Sequence, residues 1–193
     1  MPRPKSFDPD TVLAKAMGVF WEKGFDAASI SDLTDAMGIN RFSLYDTFGD
    51  KHQLYLQALD AYNQRVVEPM ITKIAAINTL ASLEAYFSMI IEYQHTCTGS
   101  PCCLMHKAAV SLVAVDEQAK QRIEQVRARF QEAFLQALQR IKSAGELKPD
   151  LDLNATAWLL KITQAGLATY GSSPIAEPDA KAAISTLIEQ IRA

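Results

Sequence analysis

The sequence predicts an all-α protein, with a three-helix headpiece over residues 1–48 and a larger helical domain over 49–193. Three observations predict it. Ser29 to Phe48 reads as two short helices joined by a turn, each opened by its own capping residue. Asp116 to Ser143 repeats apolar residues at helical spacing beneath a charged outer face. Leu153 to Tyr170 and Ala176 to Ile191 carry more apolar residues than one buried stripe requires.

Along the headpiece, Met1 to Ser6 holds two prolines and two cations and is expected as an extended arm. Asp8 to Lys23 aligns Val12, Leu13, Ala16, Val19 and Phe20 on one helical face, and Gly24 closes it. Trp21 is expected to pack against later helices. Ser29 can cap the next helix, with Asp32 supplying an acid to its first turn, and Ile30, Leu33 and Met37 recur at helical spacing before Gly38. Asn40 caps again and opens Arg41 to Phe48. With Gly38 and Ile39 alone as the turn, the two helices must cross steeply. Such a pair, with Asn40, Arg41 and Ser43 at the start of its second helix, matches the helix-turn-helix that seats this helix in the DNA major groove. An αα-hairpin within a bundle is the other reading. In the first, Phe42 reaches a thymine methyl and Arg41 a guanine or phosphate, while Leu44 and Phe48 form the core beneath. Lys51, at the start of the next helix, can help hold a backbone phosphate. Asp46 disfavours close phosphate contact.

From Asp50 a long helix passes through Leu54, Tyr55, Leu59, Tyr62 and Val66 towards Pro69, which should kink or break it. Met70 to Asn78 follows, then Ser82 to Thr96, whose Leu83, Tyr86, Phe87, Met89, Ile90 and Tyr93 suit core packing or an apolar pocket with two hydroxyls. In His95 to His106, Ser100 and Pro101 read as a fresh helix start with Cys102 and Cys103 in its first turn. Three readings stay open for these thiols. They are structural, or they sense electrophiles, with Cys97 as a resolving partner, or they bind metal together with His95 and His106. The spacing matches no standard zinc pattern, so no metal site is assigned. Phe130 and Phe134 lie on the inner face of the Asp116 helix. Gly145 and Pro149 interrupt the chain before the terminal pair, where Trp158, Leu160, Leu167, Ile184, Leu187, Ile188 and Ile191 suit a two-fold four-helix interface.

Composition sets bounds on function. At 193 residues the chain can bury a substantial core. No apolar run is long enough to span a bilayer, and MPRPKSFD lacks the apolar stretch of a secretory signal, so a cytoplasmic protein without membrane contact is expected. Three cysteines, two adjacent, make no disulfide framework. The net charge is -3, and residues 1–50 carry five Lys and Arg against eight Asp and Glu. A DNA-binding surface must then be local, with few phosphates neutralised per subunit.

The headpiece resembles the TetR family of bacterial one-component repressors. The residues that carry the resemblance are Gly24, Phe25, Ala28, Ser29, Ile30, Leu33, Gly38, Ile39, Leu44, Tyr45, Phe48, Lys51 and Leu54, at fixed spacing over about thirty residues. Cys103, Leu104 and Met105 are similar to a G-C-L-[LMV] run that begins a sensor-domain helix in several members, some of which sense electrophiles through that cysteine.

The resemblance implies a homodimer that binds palindromic double-stranded operator DNA and is released by a small-molecule inducer, a thiol-reactive compound among the candidates. It implies DNA contacts from Arg3, Lys5, Ser29, Asn40, Arg41, Phe42, Ser43, Tyr45, Thr47 and Lys51, with Tyr45 and Thr47 at phosphate-binding positions and Arg3 and Lys5 in an arm that touches the minor groove. Sensor candidates are Tyr62, Tyr86, Met89, Tyr93, Cys97, Cys102, Cys103, His106, Phe130 and Phe134. Nothing resembles a phosphate loop, a nucleophile elbow or a metallopeptidase motif, and Cys103 with His106 lacks an orienting partner. No catalytic site and no cofactor are expected.

Overall fold

The computed structural model describes residues 7–96, 103–111, 116–169 and 175–193. Among them the secondary structure is helical: α1 (Pro9–Ala27), α2 (Ile30–Met37), α3 (Arg41–Phe48), α4 (Lys51–Tyr62), α5 (Glu68–Ala75), α6 (Leu80–Thr96), α7 (Leu104–Ser111), α8 (Glu117–Ser143), α9 (Leu153–Thr169) and α10 (Glu177–Ile191). A single backbone bridge pairs Leu147 with Arg192. No helix among the described residues is long and apolar enough to cross a membrane.

The chain divides into two compact units. One comprises Met1–Val66 with Leu104–Ile123, and the other Val67–Cys103 with Glu124–Ala193.

In the first unit, α1 packs on α2, α4 and α7. Its core is built from Phe20, Leu33, Met37, Leu44, Leu54, Tyr55 and Leu59, all buried. Phe20 and Phe25 meet Tyr55 edge-on at 4.9 and 5.1 Å. Backbone leaves the helical region at Gly24, whose φ of +80° explains why the helix beginning at Pro9 turns there. Three polar ties join α7 and the start of α8 to α1 and α4. Lys107 Nζ donates to the carbonyls of Trp21 and Glu22 at 2.6 and 3.1 Å, satisfying carbonyls that the break at Gly24 leaves exposed. His52 Nε2 lies 2.6 Å from Asp116 Oδ2. Arg122 grips Asp60 with two bonds of 2.8 and 3.1 Å. Asp116 also accepts from the amides of Gln118 and Ala119, which opens α8. Burial pushes its carboxyl up, but the Ala119 amide and His52 outweigh burial and hold it below the ordinary carboxylate value.

The second unit places α6 against α9 and α10. Tyr86, Phe87 and Phe134 form a buried aromatic cluster with centroids 5.5 to 6.1 Å apart. Arg140 donates to the carbonyls of Ala75 and Ile77, both at 2.9 Å, closing the end of α5. Glu146 accepts from the Leu80 amide at 2.8 Å, tying the turn after α8 to the start of α6.

One expectation about element ends holds and one changes. The α-helix that begins at Lys51 is interrupted just before Pro69, as expected. A π-helical turn over Asn63–Val67 takes up the missing hydrogen bond, and α5 begins at once with Pro69 in its first turn. The helix expected to start at Ser100 begins, as described, at Leu104, so Cys103 stands just before it rather than inside its first turn. Ser100, Pro101 and Cys102 lie outside the described residues, as do Arg3, Lys5 and Cys97.

Candidate nucleic-acid interface

The turn between α2 and α3 is built by local chemistry. Ser29 Oγ accepts from the Asp32 amide at 3.0 Å, and Asp32 Oδ2 accepts from the Ser29 amide at 2.9 Å, a reciprocal capping box. Lys23 Nζ donates to the other Asp32 oxygen at 2.6 Å. That bond, followed by those from Ser29, holds the Asp32 carboxyl well below the usual carboxylate range. Gly38 closes α2 at φ +70°, with its amide donating to the Thr34 carbonyl. Asn40 Oδ1 then accepts from the Ser43 amide at 2.8 Å and starts α3.

Helix α3 has two unlike faces. Leu44 and Phe48 are buried in the first unit. Arg41, Phe42 and Tyr45 are exposed, Phe42 at 78% and Tyr45 at 45%. An aromatic ring this bare on a helix of eight residues contributes nothing to its own core. Asp46 is exposed beside them.

The remaining candidates divide. Asn40 and Ser29 are exposed, though the Ser29 hydroxyl is engaged with Asp32 at 2.7 Å. Ser43 is half-buried. Lys51 is half-buried with its Nζ 4.6 Å from the Phe25 ring centroid, a cation–π contact that fixes its position at the start of α4. Thr47 is half-buried, and its hydroxyl oxygen is shut away from solvent without a hydrogen-bond partner. It therefore turns away from the face that carries Phe42 and Tyr45.

The sensor candidates fall into both units. Tyr62 is buried in the first, edge-on to Trp21 at 5.2 Å. His106 is half-buried on α7. In the second, Tyr86, Phe130 and Phe134 are buried, Met89 is half-buried with Lys73 Nζ 2.9 Å from its sulfur, and Tyr93 is exposed. The two hydroxyls of α6 thus do not share one lining. Cys103 is half-buried. No group of three or more His, Cys, Asp or Glu able to hold a metal occurs among the described residues.

Of the residues suited to a subunit interface, Leu160, Leu167, Ile184, Ile188 and Ile191 are buried within the subunit and Leu187 is half-buried. Trp158 is exposed at 49%, and its neighbours Leu159 and Ile162 are exposed with it. The apolar surplus of α9 therefore sits on a face that apolar periodicity does not single out. Periodicity also passes over Gln164, which is buried on α9 with its Nε2 donating to the Tyr86 hydroxyl at 2.9 Å.

Comparison with known proteins gives consistent matches. Residues 12–58 match the family model for bacterial regulatory proteins of the tetR family, and residues 79–171 match that for the tetracyclin repressor-like C-terminal domain. The chain is similar to the HTH-type transcriptional regulator YezE of Bacillus subtilis (strain 168), 29% identical over 169 residues, covering 86% of this chain and 87% of that protein. It is also similar to the HTH-type transcriptional repressor ComR of Escherichia coli (strain K12), 44% identical over 63 residues, covering 33% of this chain and 30% of that repressor. Among solved structures, a cysteine mutant of the TetR family regulator CifR, complexed with 26bp double-strand operator DNA, superposes with a TM-score of 0.84. The match covers 97% of this chain and 98% of that one at 24% identity, a likeness of fold.

Proposed function

Since the chain belongs to the TetR family of DNA-binding transcriptional regulators, we propose that it is a ligand-responsive repressor, bound to a palindromic operator as a homodimer and released by a small-molecule or electrophilic inducer. Its family is one of regulators rather than enzymes, and its partner is DNA. Residues 1–48 would form the DNA-binding domain and 49–193 the sensing and dimerisation domain.

One observation carries the reading. Arg41, Phe42 and Tyr45 stand exposed on α3, whose Leu44 and Phe48 are buried. Phe42 supplies apolar contact to a thymine methyl, Arg41 a fork for guanine, and Tyr45 a hydroxyl for phosphate. Lys51, held over Phe25, adds a phosphate contact from α4, and Arg3 and Lys5 reach the minor groove. The exposed Trp158, Leu159 and Ile162 give α9 an apolar face for the two-fold partner. An inducer acts by preferring the subunit arrangement that misaligns the two reading helices, since equal affinity for both arrangements would shift nothing.

Selection of random DNA by the purified protein should enrich a palindrome whose half-sites are about one helical turn or more apart. A folded protein that selects no palindrome at low salt would remove the repressor reading. Repeating the selection after treatment with a mild electrophile examines Cys103. Loss of binding in the wild type but not in Cys103→Ser assigns sensing to that thiol, loss in both moves it to Cys97 or Cys102, and loss in neither assigns release to a non-covalent inducer.

A further inference from the structure

We infer that the second unit holds an anion site centred on Lys161, shaped for a hydroxylated organic acid that lies along α9 between Lys161 and Gln164. The inference deepens the ligand-responsive reading and rests on it for its regulatory meaning.

The argument begins with a charge in an unfavourable place. Lys161 is half-buried on α9, and its Nζ sits 4.8 Å from the centroid of the buried Phe130 ring. No carboxylate among the described residues pairs with it, and residues 1–6, 97–102, 112–115 and 170–174 contain no Asp or Glu. The groups whose charge acts on it are Cys103 and a second cation, Arg127. Burial pushes the Lys161 ammonium below its ordinary value, with Cys103 working against that and Arg127 with it. The Phe130 ring offers the ammonium a cation–π contact but no counter-charge, so burial beside a second cation leaves a charge that a bound anion relieves.

A second, independent observation lies one helical turn along. Gln164 is 4% exposed, and its Oε1 is shut from solvent with no hydrogen-bond partner, while its Nε2 is committed to Tyr86. Gln131 on α8 repeats the pattern, its Oε1 buried and unpartnered, four residues from Arg127 on the same side of that helix. Buried acceptors without donors are uncommon in folded proteins and mark places where a donor is supplied from outside the chain. Aromatic rings adjoin both groups: Phe130 lies under Lys161, the Tyr86 hydroxyl meets Gln164, and the Tyr86 and Phe134 centroids are 5.9 Å apart. An occupant that satisfies all three features has a carboxylate at the Lys161 end, an apolar body over the rings, and a hydroxyl or N–H that donates to Gln164. A neutral apolar molecule leaves both the cation and the orphan oxygens as they are.

Thermal melting of the DNA-free, full-length protein tests this with para-hydroxybenzoate, para-hydroxyphenylpropionate and omega-hydroxydecanoate. Each is set against its methyl ester and against the acid lacking the hydroxyl. At least one hydroxy acid should raise the melting temperature while its ester does not. Lys161→Met should bind that acid at least about tenfold more weakly, as expected for loss of a charge-assisted contact, and Lys161→Arg should retain it. Gln164→Leu should erase the preference for the hydroxylated acid. Lys161→Met should itself melt no lower than wild type without ligand, because it removes an unpaired buried charge, and a lower melting temperature would make the lysine structural. Esters binding as well as acids, unchanged affinity in Lys161→Met, or no response to any acid would overturn the inference. DNA plays no part in this measurement, so its failure leaves operator selection standing, and a failed operator selection leaves this result standing.

Discussion

Asp32 ties together three parts of the headpiece: the start of α2, the end of α1 through Lys23, and its own capping serine. Its carboxyl is depressed in the folded chain, so it contributes stability that is present above the ordinary carboxylate value, roughly pH 4, and is lost as pH falls below it. Ser29→Ala should cost about 1 kcal/mol in denaturant unfolding at neutral pH. Asp32→Asn should flatten the acid limb of the stability profile. An acid limb identical to wild type in Asp32→Asn would mean that other carboxylates govern it. Phe42 is the contrasting residue, being bare where Asp32 is bound. Both roles follow from residue type and spacing and were legible in the sequence: a serine three residues before an aspartate, and an aromatic one place after a helix start. The Thr47 hydroxyl was not legible, because the side of α3 on which it falls depends on how the helix rests on its neighbours.

At the scale of elements, α9 shows how far apolar periodicity reaches. Pattern marks Leu160, Leu167, Ile184, Ile188 and Ile191 as apolar and suits them to a subunit interface, whereas they are buried within the single chain. Pattern does not say against what a residue packs, and the subunit uses these for its own interior. The residues left for a partner are Trp158, Leu159 and Ile162, the last 64% exposed. Ile162→Asp should therefore shift sedimentation towards the monomer while leaving the helical signal and the monomer's melting largely unchanged, since a surface substitution away from packing changes stability by about 0.5 kcal/mol or less. An unshifted dimer would place the interface elsewhere. Caps and breakers at Ser29, Gly38 and Asn40 were legible because each depends on a few adjacent residues. The π-helical turn before Pro69 was not, since a proline specifies a lost hydrogen bond without specifying whether the helix stops or widens.

For the whole molecule, the acidic balance decides the character of DNA binding. Lys23 is paired with Asp32 and Lys51 is seated on Phe25, which leaves Arg41 as the exposed cation from Ser29 to Lys51. The logarithm of operator affinity against the logarithm of salt should have a slope well short of the about -10 of strongly basic repressors. Arg41→Gln should alter base preference, and should lower the slope by about one per subunit if the guanidinium also neutralises a phosphate. A slope near -10 in the wild type would mean that cations beyond Arg41, Lys51, Arg3 and Lys5 also neutralise phosphates.

The three ties from Lys107, Asp116 and Arg122 have a consequence for synthesis. They lie more than fifty residues beyond the helices they brace, so the first unit is discontinuous along the chain. A nascent chain that has just released Phe48 from the ribosome holds α1 to α3 but neither α4 nor the three ties that brace α1 and α4. Completion waits until Ile123 has emerged, by which time all of α6 has also been made.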